Sequence, residues 1–191
     1  MIPGEDACCI LLYGDIGEYS DVTAAAIVRE LMEAEASGKR IDVRINSNGG
    51  DVYTGIAIFN ALRGSKADIH IYVDGIAASM ASVIALCGKP VEMSKYARLM
   101  LHSVSGGCYG NKTELRRCLE EVEALENTLC EMYAPKLGTS VEDIRARYFD
   151  DADHWLKADE ALALGFIDGV YDADPVPEDS TPEQVYRIFT N

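Results

Sequence analysis

Ile41, Val43 and Ile45 alternate with Asp42, Arg44 and Asn46, the two-residue period of a strand buried on one face. Ahead of it, Cys8–Tyr13 reads as a short apolar strand and Gly14 to Ser20 as a loop. Asp21 is the expected cap of a helix that runs to Ser37 and stops at Gly38. A turn at Asn48-Gly49-Gly50 leads into a helix over Val52–Arg63 closed by Gly64, and Ile69, Ile71 and Val73 mark the next strand. Asp74-Gly75 is predicted to break that strand. The small and apolar residues of Ile76–Cys87, ended by Gly88, then suit a buried helix. Ala97–His102 is a further short strand, followed by the glycine-rich stretch Ser103–Gly110. Leu115, Leu119, Val122, Leu125, Leu129 and Met132 recur at helical spacing, which predicts one amphipathic helix from Lys112 to about Leu137. Ser140 with Asp143 marks a short helix to Tyr148, and Ala158–Leu164 one that ends at Gly165 before a strand over Phe166–Val170. Strand and helix alternate through the first half. That order predicts an α/β fold of parallel strands with crossover helices.

Composition narrows the classes of function. The chain has 191 residues, 48% of them apolar and 26% charged, enough to bury one core and too apolar for a disordered chain. We expect one domain over residues 1–171 and an acidic, proline-containing tail over 172–191. In that tail Asp172–Ser180 forms a linker or strap, and Thr181-Pro182-Glu183 starts a last short helix. A net charge of −15 works against nucleic acid and anionic membrane surfaces as partners. No apolar run approaches the roughly 20 residues of a membrane span, and the first residues lack the regions of a signal peptide, so a cytoplasmic location is expected. Cys8, Cys9, Cys87, Cys108, Cys118 and Cys130 show no CxxC spacing and are expected to be reduced and structural. With His70, His102 and His154 as the whole histidine complement, neither a metal nor a cofactor is expected.

Candidate chemistry centres on Ser79. A serine at the start of a buried helix is ordinarily a packing residue, but a strand, a glycine-bearing turn and a helix beginning beside Ser79 would present its hydroxyl at a helix N-terminus. It is not the G-x-S-x-G elbow of α/β-hydrolases. Its base would be a histidine. His70 alternates with buried isoleucines and faces away from them, and His154 lies in an acidic loop, which leaves His102 as the best-placed candidate. One of Asp150, Asp151 and Asp153, otherwise a solvated loop, could orient the imidazole. Gly49-Gly50 supplies a tight turn that needs positive φ. Free of side chains, it could also donate N–H groups to an oxyanion, while Gly106-Gly107 could border an extended peptide.

Five segments in order, Ile45-Asn-Ser-Asn-Gly-Gly-Asp-Val52, Gly75-Ile-Ala-Ala-Ser-Met80, Arg98-Leu-Met-Leu-His102, the Gly-Gly-x-x-Gly of 106–110 and Trp155 through Asp168, resemble the ClpP family of serine peptidases. The likeness covers roughly Ile10 to Tyr171. It implies a ClpP/crotonase-type fold of repeated β-β-α units with a long projecting handle helix. It further implies a triad of Ser79, His102 and Asp153, an oxyanion hole from Gly50 and Met80, and a substrate strand held by Gly49, Asp51, Val52, Ser105, Gly106 and Gly107. A peptide or unfolded-protein substrate, a homo-oligomeric ring (a heptamer or double ring) and an ATPase unfoldase partner belong to the same implication. Asn48 replaces the family's usual proline, Asp74 a small or apolar residue, and Lys157 a capping serine, while altered spacing over Arg147–His154 keeps Asp151 in competition with Asp153. Asp51-Val52 and Asp74-Gly75 bring the chain closer to the phage and prophage branch, some of whose members process capsid proteins. The rival readings are a crotonase-fold acyl-CoA enzyme, a Ser-Lys signal-peptide peptidase and a catalytically silent assembly subunit. The helix over 112–137 spans roughly 39 Å. Its apolar spacing through Leu125, Leu129 and Met132 is expected to carry one end beyond the domain, away from the glycine-rich stretch.

Overall fold

The computed structural model describes residues 1–3 and 7–172; the expected linker and last helix of the tail lie outside them, apart from Asp172. Strands β1 (Ile2–Pro3), β2 (Ala7–Tyr13), β3 (Arg40–Ser47), β4 (Ile69–Ala78), β5 (Val91–Ser94) and β8 (Gly169–Tyr171) lie side by side in the order β1-β2-β3-β4-β5-β8. Strand β6 (Arg98–Leu101) pairs with β4, and β7 (His154–Lys157) pairs with β6. From β2 to β8 the neighbours run parallel, as does the β4–β6 pair; β1–β2 and β6–β7 are antiparallel. Helices α1 (Ala24–Ser37), α2 (Val52–Gly64) and α3 (Met80–Ala85) follow β2, β3 and β4 in turn. The crossover order expected from the sequence is therefore present.

One face of the sheet makes the core. Ile10 and Leu12, Ile41, Val43 and Ile45, and Ile69, Ile71 and Val73 are all buried, together with Ile27 and Leu31 of α1 and Ile58, Phe59 and Leu62 of α2. The alternate residues of the same strands, Tyr13, Arg44, Tyr72 and Asp74, point to the other face. Asp74-Gly75 does not break β4. At this point the strand changes partner: Ile71–Val73 pair with β5, and Ile76–Ala78 with β6. Between Ile45 and Ser47 of β3 the matched partner moves from Val73 to Ala77, so β4 carries the extra residues of a bulge at Asp74-Gly75. Residues 76–78 thus belong to β4, and the helix expected from Ile76 begins only at Met80.

Other boundaries differ for local reasons. Thr23, not Asp21, caps α1 by accepting from the Ala26 N–H at 3.1 Å, whereas the Asp21 carboxylate accepts from the Asp15 N–H. The Phe166 N–H donates back to the Ala161 carbonyl at 2.9 Å and closes α6, so the last strand is confined to Gly169–Tyr171. Strands β5 and β7 were not expected; each is only four residues long. Helix α4 (Lys112–Leu137) has its expected bounds, and α5 (Val141–Tyr148) and α6 (Ala158–Ala163) follow.

Asp74 organises the polar face of the sheet. Its carboxylate accepts from the Tyr13 hydroxyl at 2.5 Å, the Tyr171 hydroxyl at 2.5 Å and Arg44 Nε at 2.9 Å, with Arg44 Nη2 completing a bidentate pair. Burial disfavours the Arg44 charge, but the hydrogen bonds and charge of Asp74 outweigh it and raise its pKa above the usual range. Burial, then the Asp74 hydrogen bond, push the Tyr13 phenol up to about 12. A phenol whose pKa rises on folding stabilises the fold while protonated; that stabilisation is complete below the ordinary value and lost as pH climbs towards the folded one. Melting temperature is expected to fall as pH rises from about 10 to about 12, and to fall less in Tyr13→Phe. Asp74→Asn, which leaves Arg44 without its counter-charge, is expected to cost about 2–3 kcal/mol at neutral pH in urea titrations.

Candidate active site

Three parallel strands end together at their carboxyl edge, the edge where open α/β sheets place their sites. Gly49-Gly50 follows β3, Ser79 follows β4 and His102 follows β6. The β4–β6 ladder pairs Ala78 with Met100, and its continuation, the Ser79 N–H donating to the Met100 carbonyl at 2.9 Å, holds the serine beside the start of the 102 segment. His102 Nε2 then lies 2.8 Å from Ser79 Oγ. For that nitrogen to accept the hydroxyl proton, the imidazole must carry its own proton on Nδ1. The antiparallel β6–β7 register pairs Leu101 with His154, so one step further Asp153 falls opposite His102. Asp153 Oδ1 is 3.6 Å from Nδ1, longer than a hydrogen bond, and its side chain is 59% exposed. The Asp151 side chain has no partner among the described residues, although its N–H donates to Ser103 Oγ at 3.0 Å and ties the acidic loop to the residue after His102.

Backbone conformation supports the same centre. Ser79 has φ 52° and ψ −126°, the torsions of the first central position of a type II′ turn, where glycine is the usual occupant. Gly49 and Gly50 have φ of 97° and 144°. A Cβ on Gly49 would stand 2.6 Å from the Ala78 carbonyl and 2.9 Å from the Met80 nitrogen, so only a glycine lets this turn lie against the serine. The bridge between Gly50 and Ile16 uses the Gly49 carbonyl and the Asp51 N–H, which leaves the Gly50 N–H outside the ladder. Met80 is the first residue of α3, and its N–H has no intrahelical acceptor.

A small cleft, open at its mouth, adjoins Ser79 and His102; Val52, Met80, Val83, Leu129, Tyr133 and Phe149 give it an apolar lining. Gly50 and Ser105 border it too, whereas Gly49, Asp51, Gly106 and Gly107 do not. The Asp51 carboxylate is occupied in capping α2 through the Thr54 N–H at 2.7 Å. Two connections had no signal in the sequence. Ser82 Oγ donates to the Ser79 carbonyl at 2.6 Å and so must accept from the buried Tyr133 hydroxyl, also at 2.6 Å, which links α4 to the serine turn. Glu126 accepts from the Val104 N–H at 3.0 Å and fixes the chain just beyond His102 to the same helix. The other histidines are engaged elsewhere, His70 with Asp68 at 3.3 Å and His154 with Asp150 at 2.7 Å.

Among the described residues no group of His, Cys, Asp and Glu could hold a metal ion, and no helix is long and apolar enough to cross a membrane. The Clp protease family profile matches residues 7–174. An ATP-dependent Clp protease proteolytic subunit of Bacteroides fragilis is 32% identical over 157 residues, covering 80% of this chain and 75% of the relative. An ATP-dependent Clp protease proteolytic subunit 1 of Prochlorococcus marinus is 35% identical over 158 residues, covering 81% and 80%. With its mainly parallel sheet and a serine, a histidine and two glycines gathered at one strand edge, the chain belongs to the Clp protease family of peptidases.

Proposed function

We propose that this chain is the proteolytic core of a self-compartmentalising serine endopeptidase that cleaves peptide or unfolded-protein substrates without itself using ATP. His102 Nε2 takes the Ser79 proton as Oγ attacks the scissile carbonyl. The tetrahedral oxyanion is received by the Gly50 and Met80 N–H groups. His102 then protonates the leaving amine, and water repeats the sequence on the acyl-enzyme. Asp153 holds the Nδ1–H tautomer and balances the imidazolium charge. The apolar cleft takes the side chain before the scissile bond, with a preference for apolar groups of moderate size. Gly49 shapes the serine turn, Asp51 and Val52 carry the chain into α2, and the backbone of Ser105, Gly106 and Gly107 lies where an extended substrate would pass. The subunits form a homo-oligomeric ring, a heptamer or its stacked pair, on which an ATPase unfoldase docks.

The observation that carries this reading is the 2.8 Å contact between Ser79 Oγ and His102 Nε2. An acyl-CoA hydratase on a related scaffold would need an oxyanion hole but no such pair, and a silent subunit would have no reason to keep a serine at φ 52°. A fluorophosphonate probe is expected to label the wild-type chain at Ser79, and to label neither Ser79→Ala nor, at a comparable rate, His102→Ala. An unlabelled wild type, or label on another residue, would overturn the assignment.

A further inference from the structure

The glycine-rich stretch after His102 is not a free loop: it runs antiparallel along α4, and its contacts step down the helix in order. The Val104 N–H meets Glu126, Gly106 lies against Val122 (a Cβ there would be 3.7 Å from Cγ2), and the Cys108 thiol approaches the Glu114 carbonyl at 3.9 Å. Asn111 then caps the helix, accepting from the N–H groups of Thr113 and Glu114. Two extended residues advance about 6.6 Å and four helical residues about 6 Å, so 104, 106 and 108 stay level with 126, 122 and 118. The residues at the last of these levels are Cys108 and Cys118.

No other pair of the six cysteines is placed in this way. Cys8, Cys9, Cys87 and Cys130 are buried, and burial pushes the thiols of Cys9, Cys87 and Cys130 up to about 11. Cys108 is exposed and Cys118 partly so, and both are free thiols. The Glu114 carbonyl that the Cys108 thiol approaches lies one helical turn before Cys118 in α4, and the neighbouring Cys118 raises the Cys108 pKa, which places the two thiols side by side.

We propose that Cys108 and Cys118 form an oxidative modification site, a dithiol that a low-molecular-weight disulfide such as oxidised glutathione converts to an intrachain disulfide clamping the glycine-rich stretch onto α4. One protein thiolate attacks a sulfur of oxidised glutathione, forming a mixed disulfide and expelling one glutathione thiolate. The second protein thiolate attacks the protein-side sulfur of that mixed disulfide and expels the other. The protein loses two hydrogens, and the added disulfide is reduced to two glutathione thiols. Since the thiolate is the reacting form, the exchange speeds up as pH rises. The consequence for catalysis rests on the peptidase reading, because the clamped stretch begins two residues after His102; the cross-link itself does not.

The test uses the folded full-length chain, as wild type and as Ser79→Ala, incubated with oxidised glutathione and read by intact mass and peptide mapping. Trypsin cuts after Lys112, Arg116 and Arg117, so the peptides bearing Cys108 and Cys118 separate unless a disulfide joins them. The expected product has lost two hydrogens, carries no glutathione, gives the linked peptide pair and reverts with dithiothreitol. In Cys108→Ser and Cys118→Ser the link is absent and one stable glutathione adduct takes its place. Hydrogen exchange over 104–110 is expected to slow in the oxidised form of both active and Ser79→Ala protein. Two glutathione adducts without a link, a link between chains, or no change in mass would each overturn the proposal. A negative peptidase assay alongside a positive link would count against the peptidase reading alone.

Discussion

Ser79→Ala is expected to lose roughly 10⁴–10⁶-fold in kcat against an unstructured peptide while melting within about 1 kcal/mol of the wild type. The hydroxyl has one partner, His102 Nε2, and the imidazole side chain is 26% exposed, so its removal strands no buried polar group. The bonds that shape the turn are made by the backbone, the Ser79 N–H to Met100 and the Ser79 carbonyl from Ser82. Alanine keeps both and meets the same unfavourable φ of 52°. Ser79→Gly should be equally inactive yet more stable than Ser79→Ala, because glycine adopts this conformation without the steric cost. Asp153→Asn is expected to lose at most about 10⁴-fold, and less than a buried triad acid would, because its carboxylate is 3.6 Å from the imidazole and largely solvated. Asp151→Asn should be near neutral in kcat. Wild-type turnover in Ser79→Ala would remove the nucleophile from the mechanism, and a larger loss in Asp151→Asn than in Asp153→Asn would reassign the acid.

The parts of the site that can be read in the sequence are those set by local pattern. Alternation marks β3 and the first half of β4, glycines mark the turn at 49–50, and the motifs around Ser79 and His102 lie at the ends of identifiable strands. Asp153 is different. Its position depends on β7 returning antiparallel onto β6, a pairing of four residues with four across about fifty residues of chain that include the longest helix. Nothing local in His154–Lys157 announces such a partner. Ser103, Glu126 and the Tyr133–Ser82 pair were invisible for the same reason: each is an ordinary polar residue until the fold brings its partner within reach.

Asp74-Gly75 shows how a valid local rule can fail. An aspartate followed by glycine is a sound turn signal, and here the chain continues as strand because β6 takes over where β5 ends. The charge that looked like a breaker is held by Arg44, Tyr13 and Tyr171, from β3, β2 and β8. The long helix gives the opposite lesson. Its bounds follow from periodicity, but periodicity does not tell which half is covered. Leu129, Cys130 and Tyr133 are buried, with Ile144 and Phe149 of the α5 region also in the core, and the glycine-rich stretch lies on the N-terminal half. The expectation that the segment through Leu125, Leu129 and Met132 projects is therefore reversed: the projecting half is the one beginning at Lys112.

That reversal moves the assembly experiment to Leu115 and Leu119. They are 49% and 58% exposed and one helical turn apart on a helix with no buried residue before Leu129, which lines the cleft and could not be charged without harming it. Burying such a side chain against a partner is worth about 1.5–3 kcal/mol, and a ring or stacked pair of rings repeats the gain at every subunit contact. Leu115→Glu with Leu119→Glu adds like charges to a chain already at −15 and, on the handle reading, faces those charges towards one another across the contact. Native mass spectrometry of the double variant is expected to show smaller species in place of the wild-type assembly, with the melting of the isolated subunit unchanged. Peptidase activity should fall in parallel by about tenfold or more, because α4 also delivers Glu126, Leu129 and Tyr133 to the site, and a partner on its outer half restrains the same rigid element. A double variant that assembles like the wild type, or a wild type fully active as a monomer at micromolar concentration, would end the handle reading; a variant that disassembles but stays fully active would leave assembly on α4 and separate it from catalysis.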